Sequence, residues 1–111
     1  MTFDELATSH CKPRKGESAL DAARSRELLG VLDGWEASGD GKAIARDFKF
    51  KDFHRTLGFV NAVGYIANRE DHHPDLEAGY GHCRVRWSTH DVDGLSMNDF
   101  ICAAKVEALV R

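Results

Sequence analysis

The sequence has few of the residues that mark secreted, disulfide-bonded or metal-binding domains. It contains only three cysteines, Cys11, Cys83 and Cys102. An odd number at such wide spacings is neither a disulfide framework nor a zinc-binding pattern. His10 precedes Cys11, but no second pair of ligands follows in the next residues. The cysteine content suits a reducing compartment, so we predict a cytoplasmic protein without a bound metal.

Long apolar runs and a strong excess of one charge are also missing. No stretch approaches the roughly 20 apolar residues that span a bilayer, and the acidic start Met1–Glu5 lacks the apolar segment of a signal peptide. The net charge of -3 gives no general attraction to nucleic acid or to anionic membranes. With 42% apolar and 30% charged residues in a chain of 111, the composition is typical of one globular domain.

The first 16 residues show weak periodicity and end in a Lys-Pro-Arg-Lys-Gly run. We predict that residues 1–16 form an arm, packed loosely or only against a partner, and that residues 17–111 form a single domain. Ser18-Ala-Leu-Asp21 fits a capping box, which predicts a helix from there to about Leu32. Asp33-Gly34 would end that helix.

Two pairs of short alternating segments predict two β-hairpins. Trp35–Ala37 is separated by a Gly-rich turn from residues 42–50, where apolar and polar side chains alternate. Residues 76–80 and 83–89 form the second pair, and we predict a two-residue turn at Gly81-His82 between them.

Two further helices complete the predicted architecture. Apolar residues at spacings of three and four indicate a helix from about Lys51 to Arg69, which must end before His73 because Pro74 follows. Ser96–Asp99 is a second capping box that begins a helix running to near the C-terminus. The order α-β-β-α-β-β-α predicts a two-layer α+β domain, a four-stranded antiparallel sheet with helices on one face.

Polar side chains at the ends of these elements suggest proton-transfer chemistry. His72 and His73 lie just past a helix, His90 closes a strand, and Asp99 opens the last helix. Imidazoles titrate near neutral pH and therefore serve as general acids and bases. Simpler interpretations exist for two other residues. A role as a helix cap alone would explain Asp99 equally well, and Trp87 shares the strand parity of Val85, which favours core packing. A metal site made of histidines alone is a weaker alternative, because adjacent histidines seldom bind one ion together.

The motif His72-His73-Pro74 followed by Tyr80, His90 and Asp99 resembles that of the pterin-4a-carbinolamine dehydratases, also known as dimerisation cofactors of a homeodomain factor. The resemblance covers roughly residues 18–109 and extends to the segments Gly34–Glu36, Phe48–Phe53, Gly58-Phe59, Ser88–His90 and Gly94–Ser96. One position differs from the motif: four residues before His72, where that family has a charged residue, this chain has Asn68.

The resemblance implies a hydro-lyase that removes water from 4a-hydroxytetrahydrobiopterin and forms the quinonoid dihydropterin without any cofactor. It implies that His72 and His90 are the catalytic acid/base residues. Four residues would contact or orient the pterin: His73, Tyr80, Trp87 and Asp99. It also implies a homo-oligomer, a dimer or a tetramer, that binds neither nucleic acid nor membrane directly.

The same family includes proteins that act through partners instead of pterins. Some are transcriptional coactivators, and some assist Rubisco assembly in autotrophic bacteria, where the Rubisco large subunit would be the partner and the carboxysome the location. Asn68 and the distinctive residues 1–16 are features that such a divergence would produce. The sequence therefore favours a dehydratase, with a non-catalytic assembly factor as the alternative.

Overall fold

The computed structural model describes residues 1–111. It consists of one layer of α-helices packed on one β-sheet. Helices α1 and α2 precede the first hairpin, α3 separates the two hairpins, and α4 ends the chain. The helices are α1 (Phe3–Thr8), α2 (Ala22–Leu29), α3 (Phe53–Glu70) and α4 (Met97–Ala108), and the strands are β1 (Glu36–Ala37), β2 (Ile44–Lys49), β3 (Asp75–Ala78) and β4 (His82–Trp87). None of the helices combines the length and apolarity needed to cross a bilayer.

The four strands form one antiparallel sheet in the order β1-β2-β4-β3. Each predicted hairpin is present, and the two hairpins join through β2 and β4, with Ile44 opposite Trp87 and Lys49 opposite His82. Side chains on one sheet face are buried beneath the helices, while those on the other face are largely exposed. The predicted two-layer α+β class is confirmed.

The expectation of a loosely packed arm is wrong, because the first 16 residues pack on the domain itself. Thr2 and Glu5 form a capping box that begins α1, and α1 lies along α4. Leu6 is fully buried in the main core cluster, and Arg14 is also buried. The weak periodicity did not indicate this packing, because α1 has only six residues and buries one of them, Leu6.

Three local boundaries also differ from the predicted ones, and one of them is the end of α2, which lies at Leu29 rather than near Leu32. Helix α2 begins after Asp21, because the Asp21 side chain caps it by accepting the Arg24 N–H. The Leu20 N–H donates to the Leu95 carbonyl. The second hairpin turns through residues 79–81, not at Gly81-His82. Gly81 is required by close approach rather than by positive φ, because a Cβ there would lie 2.8 Å from the Phe50 carbonyl oxygen.

Replacing Leu6 by alanine is expected to lower the free energy of unfolding by about 2–5 kcal/mol, the usual cost of removing a fully buried leucine side chain. Leu109→Ala is the control, since Leu109 is 46% exposed, and it is expected to cost less than about 1 kcal/mol. Chemical denaturation of both variants measures the difference. Equal stability of the two variants would mean that α1 contributes nothing to the core.

Candidate functional site

A polar cavity of about 530 Å³ lies where the N-terminal segment, the end of α3, the end of β4 and the start of α4 meet. Three of the predicted site residues, His72, His73 and His90, line it. The other lining residues are Cys11, Lys12, Pro13, Arg14, Arg69, Glu70, Asp71, Ser88, Thr89, Asp91 and Asn98.

The end of α3 directs His72 towards α4. Asp71 caps the helix in the left-handed conformation, with φ 51° and ψ 43°, and its N–H and that of His72 both donate to the Ala67 carbonyl. Aspartate tolerates this conformation better than most residues, and Pro74 prevents the helix from continuing. The chain therefore turns back sharply, and the His72 side chain lies against the first turn of α4.

His72, which lines the cavity, is paired with Asp99 behind it. The His72 Nε2 atom lies 2.7 Å from Asp99 Oδ1, the Asp99 side chain is fully buried, and that of His72 is 11% exposed. An ionised carboxylate only accepts hydrogen bonds, so Nε2 carries the proton in this pair. The other ring nitrogen, Nδ1, is then free to accept a proton from a molecule in the cavity or to return it.

A chain of hydroxyl groups fixes the second oxygen of Asp99. Asp99 Oδ2 accepts the Ser96 N–H at 2.9 Å and the Thr89 hydroxyl at 2.7 Å. Thr89 Oγ1 also lies 2.7 Å from Ser96 Oγ, which accepts the Asn98 N–H. Because a hydroxyl has one proton, Thr89 donates to Asp99 and Ser96 must donate to Thr89. The Thr89 hydroxyl and the Ser96 N–H therefore donate directly to the carboxylate and stabilise its charge, while the Ser96 hydroxyl orients Thr89.

Asp99 is thus both a helix cap and a partner of His72, so the two interpretations of this residue are compatible. The predicted capping box is present, with Ser96 as the first residue and Asp99 as the third helical residue. One carboxylate oxygen caps α4 and the other binds the imidazole. The cap therefore holds the acceptor of His72 rigidly in place.

Trp87 supports His72 from the core side. Its ring lies parallel to the imidazole, with centroids 5.6 Å apart and an interplanar angle of 10°. Trp87 is fully buried in the core and does not line the cavity. Its position fits a packing surface for the His72 ring rather than a wall for a ligand.

His73 and His90 occupy the open side of the cavity. Both are exposed, in contrast to the half-buried His72. His90 does not close a strand as predicted, because β4 ends at Trp87; after Ser88 and Thr89 it begins a short 3₁₀ turn, His90–Val92. The three imidazoles therefore reach one cavity from two separate connections, with one ring anchored and two accessible to solvent.

The N-terminal segment forms a wall of the cavity that the sequence did not reveal. The Asn98 side chain binds it in two directions: Oδ1 accepts the Lys12 N–H and the Arg14 Nε–H, and Nδ2 donates to the Lys12 carbonyl at 2.8 Å. Arg14 is largely buried and carries a permanent positive charge into the cavity lining. No local pattern marks Arg14 or Asn98, because they are 84 residues apart.

Glu70 anchors the same segment to the end of α3. Its carboxylate accepts the Cys11 N–H at 2.7 Å and lies 3.0 Å from His10 Nδ1. Burial acts to raise the pKa of Glu70, but the hydrogen bonds from Cys11 and His10 and the charge of Lys105 outweigh burial and hold that pKa below its usual range. Glu70 is therefore a charged anchor two residues before His72.

Four of the predicted site residues do not line the cavity: Trp87 and Asp99 lie behind His72, whereas Tyr80 and Asn68 lie elsewhere. Tyr80 is 71% exposed and lies in the turn between β3 and β4. The strand from His82 to Trp87 rises about 3.3 Å per residue, so this turn lies at the opposite end of β4 from Ser88–His90. Asn68 is exposed on α3 and does not line the cavity, whereas its neighbours Arg69 and Glu70 do. A charged residue at position 68 would therefore lie on the exposed face of α3 and not in the cavity.

No group of three or more His, Cys, Asp or Glu side chains is arranged to hold a metal ion. The chemistry available in this cavity is that of imidazole, carboxylate, hydroxyl, guanidinium and amide groups. Among these, the imidazoles are the groups suited to proton transfer near neutral pH.

Comparison with known proteins gives one consistent family. The family model described as pterin 4 alpha carbinolamine dehydratase matches residues 18–109. A protein of Stenotrophomonas maltophilia, named provisionally as a pterin-4-alpha-carbinolamine dehydratase, is 57% identical over 107 residues, covering 96% of this chain and 92% of its own. A relative with the same provisional name in Xanthomonas campestris is 58% identical over 105 residues, covering 94% and 89%.

Two solved structures are similar in fold. The crystal structure of a transcriptional coactivator/pterin dehydratase from Brucella melitensis has a TM-score of 0.81 and 34% identity, covering 85% of this chain and 100% of that one. A pterin dehydratase-like protein identified as a RuBisCO assembly factor in the alpha-carboxysome has a TM-score of 0.60 and 19% identity, covering 68% and 88%. The second likeness is one of fold alone.

Proposed function

This chain belongs to the pterin-4a-carbinolamine dehydratase family, and we propose that it removes water from a 4a-hydroxytetrahydropterin to give the quinonoid dihydropterin. The observation that carries this proposal is the His72–Asp99 pair at 2.7 Å. It leaves Nδ1 of a half-buried imidazole as the exchangeable site in a cavity that two more histidines line.

The reaction needs two proton transfers that imidazoles can perform. Cleavage of the C4a–O bond requires a proton on the departing oxygen, and formation of the quinonoid ring requires loss of a proton from a ring nitrogen. The products are water and the dihydropterin, so no electrons or protons are gained or lost overall. His72 is assigned the principal acid/base role because Asp99 binds Nε2 and leaves Nδ1 free, and His90 is assigned as the second acid/base group on the open side.

The remaining groups bind and orient the substrate. His73 lies on the open side of the cavity, where its ring can donate to or accept from the pterin. Arg14 supplies guanidinium donors suited to a carbonyl oxygen of the ring. Trp87 holds the His72 ring from below, and Asp99 fixes its tautomer. The dehydration gains and loses no electrons overall and requires no cofactor, so none is proposed.

We expect the purified protein to accelerate the decay of freshly generated 4a-hydroxytetrahydropterin well above the spontaneous rate, because general acid–base catalysis contributes about 10²–10⁴-fold. Stopped-flow absorbance measures this decay. A His54→Gln variant is the matched control and should keep full activity, since His54 is exposed at the start of α3 and does not line the cavity. A folded protein that gives no acceleration would refute the dehydratase function.

A homo-oligomer is also proposed. Strands β1 and β3 are the two edges of the sheet, and β3 is exposed along its whole length. The outer face of α3 exposes three large apolar side chains, Phe53, Leu57 and Tyr65. Open sheet edges and apolar helix faces usually pair with another surface, and a second copy of the chain offers both.

The Rubisco assembly role has no comparable support in this molecule. The solved structure with that role is 19% identical, and fold alone does not determine function. The cavity retains its three histidines and the buried carboxylate, which an assembly factor does not need. The pterin assay separates the two functions directly, as does the presence or absence of binding to the Rubisco large subunit. Cytoplasmic location remains the prediction for the dehydratase.

A further inference from the structure

Two cysteines that are distant in the sequence meet beside the cavity. The Sγ atoms of Cys11 and Cys102 lie 3.4 Å apart, although 91 positions separate them in the chain. Both are free thiols. A disulfide bond needs about 2.05 Å between the sulfur atoms, so they need to approach by only about 1.4 Å.

The cavity wall holds the two thiols in this position. The Cys11 N–H donates to Glu70, and the Asn98 side chain binds both the N–H and the carbonyl of the next residue, Lys12. Asn98 and Cys102 are four residues apart on α4 and therefore lie on the same helix face. The segment that Asn98 clamps thus places Cys11 directly over Cys102.

The two thiols differ in accessibility. Cys11 is partly exposed and lines the cavity, whereas Cys102 is completely buried. A small oxidant entering the cavity therefore reaches Cys11 first. A hydrogen bond to Cys11 and burial both raise the pKa of Cys102, so Cys102 keeps its proton until Cys11 has reacted.

We propose that Cys11 and Cys102 form a peroxide-reactive pair whose disulfide locks the N-terminal wall of the cavity onto α4. The Cys11 thiol loses its proton, the thiolate attacks one oxygen of hydrogen peroxide, and the O–O bond breaks. The departing hydroxide takes up the proton that Cys11 lost, so a sulfenic acid and one water form. Cys102 then attacks the Cys11 sulfur, the S–O bond breaks, and a second water leaves. Two thiols lose two electrons and two protons, and one peroxide is reduced to two waters. In a reducing compartment such a bond is transient, and its formation reports oxidant.

Cys83 provides an internal control for this chemistry. It is completely buried on β4 and makes no contact with another sulfur, and burial raises its pKa. A buried thiol with a raised pKa reacts slowly with peroxide. The pair should therefore oxidise while Cys83 remains a thiol.

The first test counts thiols in the full-length protein after treatment with a small molar excess of hydrogen peroxide. Titration in denaturant should show a fall from three free thiols to one, and non-reducing peptide mapping should yield a Cys11–Cys102 cross-linked peptide within one chain. Dithiothreitol should restore all three thiols. Retention of three thiols, a disulfide between chains, or a sulfinic acid at Cys11 with Cys102 still reduced would each overturn the proposal.

Matched serine variants assign the reaction to the pair. Cys83→Ser should still form the cross-link at the wild-type rate, whereas Cys11→Ser and Cys102→Ser should form none. Hydrogen exchange gives a second readout: oxidation should slow exchange of the Cys11 amide at least tenfold, because the covalent bond prevents the wall from lifting. Unchanged exchange in a fully cross-linked protein would overturn the locking role. Neither readout uses a pterin, so both are independent of the dehydratase assay.

Discussion

A His72→Gln variant is expected to lose about 10²–10⁴-fold in kcat for pterin dehydration, the usual contribution of a general acid/base group. Glutamine fits the site because its amide can donate to Asp99 Oδ1, which accepts from Nε2 at 2.7 Å in the wild type. It cannot exchange protons near neutral pH. The variant therefore removes the chemistry while keeping the partner of the buried carboxylate.

His72→Ala provides the comparison that separates chemistry from folding. Alanine leaves the fully buried Asp99 without its imidazole donor, and loss of a hydrogen bond to a buried charged group costs about 1.5–3 kcal/mol. We expect both variants to be inactive but only His72→Ala to melt at clearly lower temperature. Stopped-flow rates and thermal denaturation measure the two effects. Wild-type kcat in the glutamine variant would show that His72 transfers no proton in the rate-limiting step.

The features of the fold that rest on local patterns could be predicted from the sequence. Alternation along residues 42–50 and 83–89 predicted β2 and β4, and a side-chain period of two allows only one face to be buried. Pro74 correctly predicted the end of α3 before His73. The capping box at Ser96 predicted the start of α4, and this start places Asp99 where the His72 ring arrives.

The features that rest on contacts between distant residues could not be predicted. Leu6 is the only buried residue of α1, so the sequence of this helix has no periodic apolar stripe that would predict its packing on α4. Arg14 reads as part of a solvated basic run until Asn98, 84 residues later, is found to bind it. The contact between Cys11 and Cys102 could not be predicted either. The wide spacing of the cysteines in the sequence indicated that they do not form a disulfide framework.

Tyr80 shows how a sequence motif can mislead about proximity. It follows His72-His73-Pro74 closely in the chain, but the hairpin carries it along β3 to the far end of the sheet. Thr89 shows the reverse case. Nothing local distinguishes it from any strand-end threonine, yet its hydroxyl donates to Asp99 at 2.7 Å.

Replacing Asp99 by asparagine is expected to reverse the tautomer of His72. The Thr89 hydroxyl and the Ser96 N–H both donate to one carboxylate oxygen, so the amide oxygen of the variant must stay on their side. The amide NH₂ group then faces His72 and donates to Nε2, which must lose its proton. Nδ1 becomes the protonated nitrogen in the neutral ring, and the group that faces the substrate changes from acceptor to donor.

We therefore expect Asp99→Asn to lower kcat by about 10²–10⁴-fold with little change in KM, since the ring stays in place while its proton moves. Nitrogen-15 NMR of the histidine rings distinguishes the tautomers, and the His72 signals should change from the Nε2–H to the Nδ1–H form. Asp47→Asn is the control, because Asp47 is exposed and pairs only with Arg84 on the opposite sheet face. Loss of activity with an unchanged tautomer would mean that Asp99 acts through its charge alone; an unchanged rate would remove Asp99 from the mechanism and leave it only as the cap of α4.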